Sequence, residues 1–279
     1  IHQEVEYNIT STYYNWLFYK KAYQQMFQIN EALDASLKHA QQLFDAGEIN
    51  TTDLLLIKQV QNSVLQKTTA FFNSEKTNEA NLLYLSGLNQ VTIKDTVYSA
   101  LAYQKNQALS TNLYQENELL IEQLKQKEKV IKANYYPSFQ VGYFNQSIST
   151  NGGFQGVQGG LSIPLFFAGK KNQLQTNRLQ IDMVSQKQSN QKHQLTNELL
   201  SLEKTIGLLE SAVTSQNNTD NISAKGIQQL HEKLRLGEIS FLDFLKLSSI
   251  IIDGTISELE LLNSFNQAVI KYNYLTTNF

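Results

Sequence analysis

Residues 43–55 of this 279-residue chain, L-F-D-A-G-E-I-N-T-T-D-L-L, return 190 positions later as residues 233–245, K-L-R-L-G-E-I-S-F-L-D-F-L. The match runs without gaps through Gly47/Gly237, Glu48/Glu238, Ile49/Ile239, Asp53/Asp243 and Leu55/Leu245. It continues in register at Asn73/Asn263, Ser74/Ser264, Tyr84/Tyr274 and Leu85/Leu275. Agreement at so many fixed positions implies two structurally equivalent halves. A glycine suits the C′ position, where a helix ends in the left-handed conformation. Asn50 and Ser240 suit helix N-caps, and Asp53 and Asp243 follow three residues later. An acidic residue there completes a capping-box-like pattern at the positive end of the helix dipole. Each copy therefore predicts helix, tight turn, helix: the tip of a helical hairpin. Stopping and restarting helices is one role for these residues; a tip at the end of a long rod is also a place for a partner to dock.

The flanking sequence supports long helices. Apolar residues recur at Met26, Ile29, Leu33, Leu37, Ala40 and Phe44, and again at Leu195, Leu199, Leu202, Ile206, Leu209 and Val213. Leu113, Leu120, Leu124 and Ile131 fit a seven-residue register. Steps of three and four put one narrow apolar seam on each helix, as in coiled-coil packing. Two prolines in the whole chain leave helices uninterrupted. One helix of about 65 residues, over roughly 170–235, would span about 100 Å. Charged residues are only 17% of the chain, and the net charge of −2 gives no field that would steer it to nucleic acid. No apolar run is long enough for a transmembrane helix. The absence of cysteine excludes disulfides, thiolate metal sites and cysteine nucleophiles.

One segment breaks the helical period. In P-S-F-Q-V-G-Y-F-N-Q-S-I, residues 137–148, Phe139, Val141 and Tyr143 fall on one face and Gln140, Gly142 and Gln146 on the other. After the turn signal S-T-N-G-G, residues 154–166 place Val157, Leu161, Ile163 and Leu165 in alternation with Gln158, Gly160 and Ser162. The pattern predicts a β-hairpin. Tilted strands of about 9 to 11 residues cross a bilayer with apolar side chains outward. A hairpin packed on a soluble core is the competing reading. If the hairpin lies in a membrane, its edge N–H and C=O groups require further strands, because only a closed barrel removes edges.

With these elements in place, the sequence resembles the TolC-type outer-membrane efflux proteins. The resemblance rests on the tips G-E-I-N-T-T-D (47–53) and G-E-I-S-F-L-D (237–243), on K-A-N-Y-Y-P-S-F (132–139) leading into the hairpin, and on S-I-P-L-F-F-A-G-K-K (162–171) leading out. The run F-Q-G-V-Q-G-G-L-S-I-P-L-F-F is most similar to the branch serving heavy-metal efflux pumps, some of whose members are fused behind a resistance-nodulation-division pump of the inner membrane. The resemblance implies a mainly α fold with one β-hairpin, in which coiled-coil helical hairpins form an α-barrel protomer and the strands contribute to an oligomeric transmembrane β-barrel. It implies a homotrimer in the outer membrane and periplasm of a Gram-negative bacterium, conducting substrates such as heavy-metal cations passively from the inner-membrane pump to the exterior. It implies that Gly47, Glu48, Ile49, Asp53, Gly237, Glu238, Ile239 and Asp243 meet a periplasmic adaptor protein, and that Phe139, Val141, Tyr143, Val157, Leu161, Ile163 and Leu165 face lipid. Residues 1–104 then correspond to the latter part of a first repeat, with its tip near 46–53. Residues 105–279 correspond to a second repeat, with a hairpin at 137–166 and a tip near 236–243. A first hairpin would lie upstream of Ile1, so the chain is expected to be cut from a longer protein. A soluble periplasmic coiled-coil scaffold or adaptor-like protein is the alternative.

Enzyme chemistry has no counterpart in the sequence, which lacks G-x-S-x-G, G-x-x-x-x-G-K-[ST] and a helix-opening G-x-G-x-x-G. No cofactor, metal site or nucleic-acid partner is expected. His2, His39, His193 and His231 show no metal-ligand spacing and read as exposed helix histidines. Asp53 and Asp243 could form carboxylate rings in an oligomer, beside their capping role. Lys170, Lys171 and Arg178 could anchor at a membrane interface or simply begin a solvated helix.

Overall fold

The computed structural model describes residues 2–90, 98–105, 108–146, 153–163, 168–216 and 223–276. Six helices and one strand pair are formed among them: α1 (His2–Asp45), α2 (Thr51–Ser86), α3 (Gln115–Ala133), β1 (Ser138–Gln146), β2 (Phe154–Ser162), α4 (Ala168–Gln216), α5 (Ser223–Arg235) and α6 (Phe241–Thr276). The fold is mainly α with one β-hairpin, as the periodicities predict. The helix expected over 170–235 is described as α4 and α5; residues 217–222 between them lie outside the described residues. The described residues divide into two compact units, one drawn from residues 2–108 and 199–276 and the other from residues 109–198.

In the first unit, α1 packs against α2, α5 and α6. The seam on α1 works as the spacing predicts: Met26, Ile29, Leu33 and Ala40 are fully buried, with Leu37 and Phe44 packed alongside. They join Leu54, Ile57 and Val64 of α2, Ile227 and Leu234 of α5, and Phe241, Phe244, Leu245 and Ile252 of α6 in one cluster. Two helical hairpins therefore share one core. Near the N-terminus of α1 the pairing with α6 turns polar. Ser11 Oγ donates to Gln267 Oε1 at 2.6 Å, Gln267 Nε2 to the Ser11 carbonyl at 3.1 Å, and Asn263 Nδ2 to Asn15 Oδ1 at 3.1 Å. Uncharged polar residues thus serve as interhelical hydrogen bonds here.

An extended segment, residues 98–105, lies on α6. Asn266 clamps it, accepting from the Leu101 N–H at 2.8 Å and donating to the Ser99 carbonyl at 3.0 Å. The Tyr98 hydroxyl donates to Asn263 Oδ1 at 2.8 Å, and its ring stacks at an angle on Phe18. Burial holds the Tyr98 phenol protonated far above the ordinary tyrosine range.

The second unit is joined differently. Of the seven-residue seam, Ile131 on α3 is buried and Leu113 and Leu124 are half-buried, while Leu120 is 39% exposed and falls off it. On α4, Val184 is buried and Leu174 and Ile181 are half-buried, and amides on the same side tie the two helices together. Asn117 Nδ2 donates to Gln191 Oε1 at 2.7 Å, Gln191 Nε2 to the Leu113 carbonyl at 2.9 Å, and the buried Asn177 Nδ2 to the Leu124 carbonyl at 2.9 Å.

Asn266 fills two backbone hydrogen-bonding groups with one side chain, which sets the expected cost of its loss. Asn266→Ala strips both and should destabilise the clamp by about 1–3 kcal/mol. Limited proteolysis should then cut within residues 98–105 well before the helices, whereas cutting at the wild-type rate would show that the clamp does not hold the segment.

Candidate functional site

The two sequence-matched turns adopt the same backbone geometry. Gly47 has φ 76° and Gly237 φ 71°, both in the left-handed region. The Gly47 N–H donates to the Phe44 carbonyl at 2.9 Å and the Glu48 N–H to the Leu43 carbonyl at 2.8 Å. In the second copy Gly237 donates to Leu234 and Glu238 to Lys233, each at 3.0 Å. These paired bonds form a Schellman motif, which satisfies carbonyls at the end of α1 and of α5. Asn50 then caps α2 reciprocally: Asn50 Oδ1 accepts from the Asp53 N–H at 3.0 Å, and Asp53 Oδ2 accepts from the Asn50 N–H at 3.3 Å. At the start of α6 the Ser240 hydroxyl accepts from the Asp243 N–H at 3.1 Å and donates to Asp243 Oδ2 at 2.6 Å. Here the Asp243 carboxylate is taken by the Ser240 hydroxyl rather than by the Ser240 N–H.

The tip residues separate into two groups. Gly47, Glu48, Gly237, Glu238 and Asp243 are exposed, and Asp53 is half-buried. Ile49 and Ile239 are half-buried and pack against the same apolar cluster. Both tips therefore stand at one shared core, with their glutamates free of it. Around them Leu55, Leu236 and Leu242 are exposed, at 60, 63 and 60%.

The strand pair settles the faces by register. Phe139 lies opposite Leu161, Val141 opposite Gly159, and Tyr143 opposite Val157. Directly opposed residues of an antiparallel pair share a face. Phe139, Val141, Tyr143, Val157 and Leu161 thus form one apolar face, which Ile163 extends by parity. All six are exposed, from 56% at Leu161 and Ile163 to 84% at Val141. Leu165 lies outside the described residues. Gln140, Gln158, Ser138 and Ser162 occupy the other face, with Phe144. Phe144 breaks the alternation because its ring lies over Gly156, where a Cβ would have no room. Among the described residues the sheet is two-stranded, so each strand has one edge without a partner.

Of the basic residues after the hairpin, Lys170 donates to the Asn134 carbonyl and Arg178 pairs with Glu128 at 3.1 Å. Glu128 also pairs with Lys132 at 2.9 Å, and the hydrogen bonds from Lys132 and then Arg178 hold its carboxyl below the usual range. These two cations are engaged in joining α3 to α4. Among the described residues no group of three or more metal-ligating side chains is formed. The histidines are not all isolated, however. His39 and His231 stand with ring centroids 5.8 Å apart, a proximity that no sequence spacing announces because 192 residues separate them. His193 is exposed.

Paired helical hairpins with Gly-Glu-Ile tips and a strand pair with one bare apolar face together make a fold found in outer-membrane channel proteins. Solved structures of that class share it. CusC, described for its transmembrane channel formation, matches over 100% of this chain and 69% of its own, with TM-score 0.81 and 15% identity. The open state of the Neisseria gonorrhoeae MtrE outer-membrane channel matches over 99% and 66%, with TM-score 0.84 and 11% identity. The Campylobacter jejuni CmeC outer-membrane channel matches over 98% and 62%, with TM-score 0.76 and 12% identity. The chain thus spans roughly two thirds of the length of these channels. No protein-family model matches it, and no curated protein matches it. Among the described residues no helix is long and apolar enough to cross a membrane.

Nothing lies within 4 Å of a Cβ built on Gly47 or Gly237, so the requirement for glycine is conformational. Gly47→Val or Gly237→Val should cost about 1–2 kcal/mol of backbone strain, while Gly47→Asn, which tolerates this conformation, should cost less than half of that. Chemical denaturation of the three variants checks the order; equal losses for Asn and Val would place the cause elsewhere.

Proposed function

We propose that this chain is the protomer of an outer-membrane exit duct of a tripartite efflux system, resident in the outer membrane and periplasm of a Gram-negative bacterium. The observation that carries the reading is the strand pair: six large apolar side chains on one face, exposed on this chain, beside backbone edges that need partners. Water is a poor home for that face. Transfer to lipid is worth about 1.5–3 kcal/mol per fully buried side chain, provided that neighbouring strands close the edges. Homotrimeric assembly supplies those strands and seats the opposite Gln-rich face on an aqueous lumen. The two repeats, residues 1–104 and 105–279, then supply equivalent pieces of a helical tunnel.

Gly47, Glu48, Ile49 and Asp53, with Gly237, Glu238, Ile239 and Asp243, form the surface for a periplasmic adaptor. Their placement at one shared core supports this, because a single partner element can touch both tips. Transport involves no bond chemistry: energy comes from a resistance-nodulation-division pump of the inner membrane, separate or fused. The hairpin's similarity to the heavy-metal branch supports metal cations as the cargo. They are substrate here, and no resident metal is required.

The two faces of β1 give a paired test. Val141→Lys should lower trimer yield in detergent and insertion into vesicles, at a cost of about 2–4 kcal/mol if the site lies near the bilayer midplane. Gln140→Lys, one residue away on the other face, should insert normally and change single-channel conductance in planar bilayers. A wild-type protein that stays monomeric in detergent, or that is stable and monomeric without it, would instead favour a soluble scaffold.

A further inference from the structure

We propose that His39 and His231 form an acid-sensitive latch that ties the first helical hairpin to the second just behind their tips. His39 lies on α1 eight residues before Gly47, and His231 on α5 six residues before Gly237. Their rings meet edge to face, with centroids 5.8 Å apart and planes at 84°. His231 Nδ1 is hydrogen-bonded to Ser36 Oγ at 3.1 Å, and Ser36 is wholly buried on α1. The pair therefore bridges the two hairpins at the border of their common core, beside Ala40 of α1 and Leu234 of α5. The repeat offset places Gln229 opposite His39 and Gln41 opposite His231. The imidazoles thus belong to this one interface and are not demanded by the helical hairpin as such.

A neutral imidazole fits the site and an imidazolium does not. Burial, then the neighbouring His39, push the His231 pKa below its ordinary 6.5. The charges that bear on His231 are His39 and Arg235, which oppose its protonation, and Glu232, which favours it. On α1, Asp34 and Lys38 neutralise each other at 2.8 Å, and α6 turns Phe241, Phe244 and Leu245 to the shared core. The Ser36 hydroxyl accepts from a protonated Nδ1 as readily as it donates to a neutral one, so that bond survives acidification. The contact that fails is ring against ring, once the half-buried His231 carries a charge. A histidine whose pKa is lower in the folded state contributes its full stabilisation above the free value of 6.5 and loses it as pH falls through the lowered value. Acid therefore loosens α1 from α5 and frees the two tips to part.

That consequence for the tips rests on the exit-duct reading; the latch rests on the contact itself. The chain has no cysteine, so Gln42→Cys and Lys233→Cys, both at exposed positions, accept spin labels at two chosen sites only. Electron-electron distance measurements on the labelled full chain should show one α1–α5 separation at about pH 7.5. Below pH 6.5 the separation should lengthen and broaden, with its midpoint under that value. H39Q and H231Q should each keep the neutral-pH distance and lose the acid shift. A wild-type distance that does not move, or variants that move as the wild type does, would overturn the latch. Bilayer conductance of the same samples separates the two readings: absence of conductance at every pH removes the duct, while the distances still decide the latch.

Discussion

The buried seam of α1 is the interaction on which the rest of the structure depends. Met26, Ile29, Leu33 and Ala40 touch no solvent because α2, α5 and α6 all turn apolar residues towards them. No two-helix hairpin could enclose that seam alone, since each helix covers only one side of its neighbour. The shared core therefore forces the two repeats together, and it brings Ile49 and Ile239 to the same place. Positions that the sequence separates by 190 residues become one surface for this reason. The exposed glutamates at 48 and 238, and the leucines around them, are then left for contacts outside the chain.

Beyond that core, amides join several elements alongside a second apolar cluster around Phe18, Ala22 and Leu259. Asn263 and Asn266 hold the 98–105 segment, Gln267 holds Ser11, and Asn117, Asn177 and Gln191 join α3 to α4. Uncharged amides suit elements with a solvated side. They give direction to the packing without the desolvation cost of buried ion pairs. They also leave apolar residues such as Leu119, Leu179 and Met183 uncovered, at 60, 60 and 66% exposure. The strand pair carries this incompleteness furthest, with an apolar face and two edges that no other described residue covers. The proposed exit duct would cover both, in lipid and with neighbouring strands.

Much of this was legible from local chemistry. The glycines at 47 and 237 predicted left-handed turns, because that conformation excludes most side chains, and both have it. The caps at Asn50 and Ser240 followed from spacing, although in the second the Asp243 carboxylate bonds the serine hydroxyl instead of the backbone. The alternation in residues 137–166 predicted two strands; Phe144, which lies over Gly156, and Phe154, opposite Gln146, depart from it on the polar face. The seven-residue seam holds at Leu113, Leu124 and Ile131 and fails only at Leu120, which is exposed. The basic residues Lys170 and Arg178 could not be placed from sequence, because their partners, Asn134 just past the end of α3 and Glu128 on it, lie 36 and 50 positions away in the chain.

By itself the sequence determined the elements that rest on periods and on backbone conformation: the helices, their tips, the strands and the division of apolar from polar faces. These depend on neighbours a few residues away, or on a repeat that can be read by alignment. The tertiary structure alone decided which elements meet: that both tips stand on one core, that Phe139 pairs with Leu161, that Asn266 clamps residues 98–105, and that His39 meets His231. Such contacts depend on where helices cross, and a crossing is fixed by the packing of whole surfaces rather than by any short run of residues.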